Sequence, residues 1–242
     1  LKSSELNTGI KTMTATQLDS ILKRLQSLGD PKAIEGMARF GISTKKAFGV
    51  SSPALKQIAR EIGKNHDFAQ ELWATGILEA RSIAAIVDEP SRVTEKQMEE
   101  WLKDFDNWAV CDGCCMYLFD KTDFAWKKAV EWSRRKREYE KRAAFSLMAV
   151  LAVHDKKAED RQFLSLLPII KREAVDERNF VRKAVNWALR QIGKRNLALN
   201  KKAIQTAKEI QGLDSKSARW IAADALRELT SAAVQRRLAR KR

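Results

Sequence analysis

KRAAFSLMAVL (141–151) and FVRKAVNWALRQIGKRN (180–196) are the stretches whose comparison decides the fold. Each begins with basic residues and continues with small and apolar ones: Arg142-Ala143-Ala144-Phe145 in the first, Arg182-Lys183-Ala184-Val185 in the second. The same start recurs upstream at Arg81-Ser82-Ile83-Ala84-Ala85 and downstream at Arg219-Trp220-Ile221-Ala222. Arg142 and Lys183 are 41 residues apart, and Lys183 and Arg219 are 36 apart. Those intervals match a repeat of two helices, which cannot bury its apolar face alone and stacks on its neighbours.

The rest of the chain agrees. Only 10 Gly and 4 Pro occur in 242 residues, too few for the turns of an all-β protein. TQLDSILKRLQSL (16–28) places Leu18, Ile21, Leu22, Leu25 and Leu28 on one helical face. Gly29-Asp30-Pro31 then breaks the helix. Ser52-Pro53 opens another, with Leu55, Ile58, Ala59 and Ile62 turned inward. Helical periodicity continues over about 67–75, 79–88, 94–103, 111–119, 123–133, 139–152, 159–172, 177–192, 198–210, 215–228 and 231–239. The expected fold is all-α: a superhelix (solenoid) of HEAT-like helical repeats with a concave basic groove. It forms one domain over 1–242, with a polar lead-in at about 1–15 and a basic C-terminal helix or tail at about 230–242.

Lys and Arg total 46 against 31 Asp and Glu, a net charge of +15. Such an excess attracts polyanions, nucleic acid first and an anionic membrane surface second. No apolar run approaches the length of a membrane span, and Leu1 to Met13 lacks the apolar core of a signal peptide. Because numbering opens at Leu, a removed leader stays open. The three cysteines, Cys111, Cys114 and Cys115, are clustered and odd in number, which points to a reducing, cytoplasmic setting. Zinc is a weak reading of Cys111 and Cys114, because no second pair follows and His66 and His154 are distant in sequence. Cys111 and Cys115 share a helical face, which favours packed thiols.

If the second helices line the inner face, their early cations form a row along a groove, and their N-terminal ends add partial positive charge. Lys141, Arg182, Lys183 and Arg219 belong to that row. It has one exception. Asp112 lies 31 residues after Arg81 and 30 before Arg142, so a carboxylate stands where neighbouring repeats offer a cation. Trp108 precedes it by four residues, and Trp187 follows Lys183 by four. An anion between aromatic faces suits cleavage of an N-glycosidic bond, whose transition state carries positive charge at the sugar. The carboxylate stabilises that charge and orients water. An alkylated purine is already cationic and leaves without a general acid. Arg142 is expected to bind a phosphate beside the lesion and to keep Asp112 ionised. Plainer readings stand beside these: Asp112 as a helix cap, Trp108 and Trp187 as core, Arg142 as a surface arginine.

At these residues the chain resembles the AlkD-type DNA alkylation repair family. GMARFGISTKKAFGVSSPALKQIARE (36–61), ELWATGILEARSIAA (71–85), NWAVCD (107–112), KRAAFSLMAVL and FVRKAVNWALRQIGKRN carry the likeness, over about residues 20–230. The resemblance implies a glycosylase that removes N3- and N7-alkylpurines from duplex DNA and needs no cofactor or metal. A monomer is expected, because one solenoid groove can hold a duplex unaided. It implies Asp112 as catalytic carboxylate, Trp108 and Trp187 as walls against the lesion's sugar, and Arg142 as clamp. Lys183, Arg190 and Lys216 fall at basic or polar backbone contacts, and Ser51, Ser52 and Lys56 in an N-terminal backbone-contacting loop. Phe40 departs from the family, which carries a hydroxylated aromatic there, and the tail VQRRLARKR (234–242) is more basic than the family requires. A non-catalytic scaffold for damaged or branched DNA and a protein-binding helical adaptor are the competing expectations.

Overall fold

The computed structural model describes residues 16–240, and the lead-in at 1–15 lies outside the described residues. The chain divides into two compact units, one running to Thr94 and the other from Glu95. Among the described residues every regular element is helical, and no helix is long and apolar enough to cross a membrane.

The first unit holds α1 (16–27), α2 (Pro31–Arg39), α3 (Ser52–Ile62), α4 (His66–Ala74) and α5 (Leu78–Val87). α2 is absent from the sequence-based expectation. Gly29-Asp30-Pro31 does stop α1, but it also starts the next helix. The Asp30 carboxylate accepts from the Lys32 amide at 2.9 Å, and Pro31 sits at the first helical position. α2 runs only nine residues, carries Gly36 and buries none of its side chains, so it has no apolar stripe to detect. On α1, Leu25 is fully buried and Leu28 is half-exposed. α3 turns Leu55, Ile58 and Ala59 inward, and both α3 and α4 pack on α5.

The second unit holds α6 (Glu95–Lys103), α7 (Trp108–Tyr117), a 3-10 turn at Phe119–Lys121, α8 (Ala125–Trp132), α9 (Glu138–His154), α10 (Asp160–Glu173), α11 (Asn179–Gly193), α12 (Leu197–Gln211), α13 (Lys216–Leu229) and α14 (Ala232–Ala239). The second helices stack in order, α7 on α9, α9 on α11 and α11 on α13, while α10 packs on α12. α9 is the centre of this stack. Every residue from Arg142 to Ala152 is buried, and Phe145, Leu147, Met148 and Leu151 each contribute roughly 1.5–3 kcal/mol by leaving water. Ala143, Ala144, Ala149 and Ala152 keep the helix thin enough for neighbours on all sides. Gly193 shows the same closeness: a Cβ there would lie 2.9 Å from the Ala203 Cβ and 2.7 Å from Leu229.

Glu99 fastens α6 to α8. Its carboxylate accepts from Lys128 Nζ at 2.7 Å, Trp132 Nε1 at 2.8 Å and Arg135 Nη2 at 2.8 Å. Burial raises its pKa, but the bonds and charges of Lys128, Trp132 and Arg135 outweigh that and leave it below the usual carboxylate range.

Candidate active site

The recurrence read in the sequence is a recurrence of position. Arg142 is the fifth residue of α9 and Lys183 the fifth of α11; Arg81 is the fourth of α5 and Arg219 the fourth of α13. Asp112 is the fifth residue of α7. It therefore takes the place that Arg142 and Lys183 take on their own helices. The cap reading is excluded. α7 begins three residues before the expected start, because Asn107 caps it: Asn107 Oδ1 accepts from the amides of Ala109 and Val110 at 3.0 and 3.1 Å. Asp112 is left one turn inside the helix, with no backbone donor to satisfy.

The Asp112 side chain points at α9. Arg142 grips it in fork geometry, Nε to Oδ1 at 2.9 Å and Nη2 to Oδ2 at 2.7 Å, and Ser146 Oγ donates to Oδ1 at 2.7 Å. Arg142 and Ser146 are four residues apart, so one face of α9 presents both donors. Arg142 reaches further and donates Nη1 to the Phe180 carbonyl at the start of α11, at 2.6 Å. Burial pulls the Arg142 pKa down, but the Asp112 charge and its hydrogen bonds more than restore it, so it stays above its ordinary value. Tyr139, one turn earlier on α9, packs against Phe180 with ring centroids 5.6 Å apart. Its phenol is pushed up to about 12, by burial first and by Glu138 next.

A carboxylate has about four lone-pair positions. Oδ1 has two filled, by Arg142 and Ser146, and Oδ2 has one. The remaining position is on Oδ2. The Asp112 side chain keeps 17% of its surface exposed while Arg142 keeps 8%, so Asp112 is the more open of the two to solvent. Arg142 has two of its groups on Asp112 and one on Phe180, which leaves it little for a phosphate. Its geometry is that of a residue that positions Asp112.

Trp108 is one turn before Asp112 on α7 and is partly exposed. Trp187 is partly exposed on α11, two turns beyond Phe180, and its indole makes no hydrogen bond or ring contact with a described residue. Neither indole is buried in the core.

The remaining expected contacts divide. Lys183 and Lys216 are exposed, the former 5.9 Å from the Phe180 ring centroid. Arg182 lies over the half-exposed Trp220 ring at 5.1 Å, and Arg219 reaches Asp214 at 3.4 Å while remaining half-exposed. Lys141 is turned inward, 2.5 Å from Glu173 and 3.2 Å from Asp176, and Arg190 pairs with Glu228 at 2.6 Å and Asp224 at 3.4 Å. Those two are tied to carboxylates of their own chain. In the first unit, Ser51, Ser52 and Lys56 are exposed around the start of α3, and the Ser51 hydroxyl does not cap that helix.

Sequence reasoning missed two residues. Ser146 is one; its only signal is its place one turn after Arg142. Glu79 is the other. It is fully buried on α5, and its Oε1 accepts from the amides of Phe48, Gly49 and Val50 at 3.0, 2.7 and 3.3 Å. This carboxylate holds the loop leading to Ser51 and Ser52. Gly49 is required in it: φ is +82°, and a Cβ would lie 2.3 Å from the Asp30 carbonyl oxygen.

Cys111 and Cys115 face α9, their thiols 3.6 Å from the Tyr139 carbonyl and 3.5 Å from that of Ala143. With Cys114 they are buried, and none of the three forms a disulfide. Burial, then the neighbouring Cys111, pushes the Cys115 thiol well above its ordinary value.

Fold and site together define a HEAT-like helical-repeat protein with a held carboxylate among cations. The family model described as "DNA alkylation repair enzyme" matches residues 21–229, and the chain belongs to that family. An uncharacterized protein of Listeria innocua is 25% identical over 202 residues, covering 82% of this chain and 87% of the relative. Among solved structures, one described as a new family related to the HEAT-like repeat DNA glycosylases, with affinity for branched DNA structures, superposes with a TM-score of 0.74. It is 21% identical and covers 87% of this chain and 94% of its own, and it supports the fold.

Proposed function

We propose that this protein is a DNA glycosylase that hydrolyses the N-glycosidic bond of cationic N3- or N7-alkylated purines in duplex DNA. One observation carries the reading: Asp112, alone in the series of equivalent helix positions, is a carboxylate, and three donors hold it with an Oδ2 position left open. A carboxylate fixed in this way needs no reorganisation when positive charge develops on the sugar, and its open oxygen orients the attacking water. Ser146 and Arg142 set its direction. Trp108 and Trp187 offer aromatic faces that favour a cation and exclude bulk water. Ser51, Ser52, Lys56, Lys183, Lys216 and Arg219 supply donors for backbone phosphates. Alkylated duplex DNA is the proposed partner, bound by a monomer.

The test is incubation with methylated duplex DNA and analysis of the freed bases. Release of 7-methylguanine or 3-methyladenine is expected. Asp112→Asn should cut release by about 10²–10³-fold, the range for losing one preorganised electrostatic contact, while DNA binding holds. The description of the superposed structure favours a second reading, a non-catalytic protein for branched DNA. On that reading wild type frees no base, and Asp112→Asn has no activity to lose.

A further inference from the structure

Within the second unit, an open cavity of about 440 Å³ lies where α9 and α11 end, lined by Lys156, Lys194, Arg195, Arg237, Gln191 and Asn196 together with Ala152 and Val153. Four of these are cations, and no carboxylate lines the cavity. Lys156 and Arg237 are exposed at its rim and form no ion pair with a described residue. Arg237 instead donates to the Lys194 carbonyl at 3.4 Å. Two cations have partners: Lys194 Nζ meets Glu228 at 2.5 Å, and Arg195 donates to the carbonyls of Ala152 and Ala158 at 3.2 and 2.8 Å. Glu228 is shared with Arg190, so it does not neutralise the four. Exposed Lys157, Arg236 and Arg240 add cations on the adjoining segments, where the exposed carboxylate of Glu159 is paired with Arg161.

The cavity is separate from Asp112 but in line with it. Val153 is eleven residues beyond Arg142 on α9, about 16 Å along the axis. On α11, Gln191 follows Trp187 at i+4, on the same stripe of the helix, and Lys194 is the residue that ends it.

We infer that this cavity is a second backbone-phosphate site for nucleic acid, taking a strand or helical arm other than the one at Asp112. It gives the basic C-terminal helix a role, since Arg237 of α14 closes one side. Charge complementarity selects an anion, the Gln191 amide suits a phosphate oxygen, and the open, charged rim suits a polymer more than a small ion; Asn196 is committed to Asp160 and to the Leu199 amide. The inference rests on the DNA-binding reading above.

The test is Lys156→Glu with Arg237→Glu, both exposed and away from Asp112. Binding to a plain duplex and to a four-way junction is measured against salt. The double variant should lose tenfold or more in affinity, with a log–log salt slope shallower by about 2. Equal loss on both substrates places the opposite strand of one duplex in the cavity; greater loss on the junction places a second arm. Unchanged affinity and slope on both, beside wild-type protein that binds DNA, overturn the inference and leave the DNA-binding reading intact. Wild type that binds neither substrate overturns both. Thermal stabilisation of wild type but not the variant by inorganic phosphate, with DNA binding unchanged, makes it a small-anion site and overturns the assignment to nucleic acid.

Discussion

Replacing Arg142 by Met tests the centre of the site. Met keeps most of the buried alkyl stem and removes three charge-assisted hydrogen bonds, two to Asp112 and one to the Phe180 carbonyl. Bonds to charged groups contribute about 1.5–3 kcal/mol each, but their sum overstates the loss. Asp112 is partly exposed and can turn toward water once released. The expected destabilisation is about 3 kcal/mol, the lower end for breaking a buried ion pair. For a chain of this size that lowers Tm by roughly 6–12 °C. Calorimetry on R142M, Asp112→Leu and the double variant reads it directly. Because Asp112 has no partner left to lose in R142M except Ser146, the double variant should be about as stable as R142M alone. Base release should fall in R142M as Asp112 loses its fixed direction. A loss below about 1 kcal/mol, or strict additivity in the double variant, refutes the claim that Arg142 acts by holding Asp112.

Glu79→Ala strands the amides of Phe48, Gly49 and Val50; a loss of about 3 kcal/mol is expected, with faster hydrogen exchange at those amides and weaker DNA binding, and wild-type protection there contradicts the role given to Glu79. Gly193→Ala sets a methyl 2.9 Å from the Ala203 Cβ; overpacking of about 1–3 kcal/mol should exceed the helix-propensity gain of about 1 kcal/mol, so a more stable variant in urea unfolding counts against the close approach of α11, α12 and α13. Glu99 has a folded pKa below its unfolded one, so its contribution is present above about pH 4.3 and is lost as pH falls through the folded value. Glu99→Gln should therefore be weaker than wild type at pH 7, with the gap narrowing by pH 3; a gap that does not change with pH excludes this linkage.

The fold was legible because the repeat period and the small-residue cores are local facts of the chain. Ala143, Ala144, Ala184 and Ala222 mark where second helices pack, and those positions are buried. α2 was not legible, since a helix that buries no side chain writes no stripe. In the site, the anomaly at Asp112 was visible as a break in a series of cations. What holds it was not fully visible. Arg142 was expected at a phosphate as well as beside Asp112, and the structure commits its guanidinium to Asp112 and Phe180. Lys141 and Arg190 looked like cations of a groove, but their carboxylate partners come from about 30 to 40 residues away, Glu173 and Asp176 for one and Asp224 and Glu228 for the other. Pairing across repeats depends on side-chain direction, which spacing alone does not fix. Glu79 was hidden for the same reason: its partners are loop amides 29 to 31 residues upstream.

The three thiols of α7 have a chemical consequence for a member of a DNA alkylation repair family. Reagents that methylate ring nitrogens of DNA also attack sulfur, and they attack it as thiolate. Cys111, Cys114 and Cys115 are at most 1% exposed, and Cys115 is held neutral by its surroundings. A molecule built this way can stand among electrophiles without offering its own sulfur as a target.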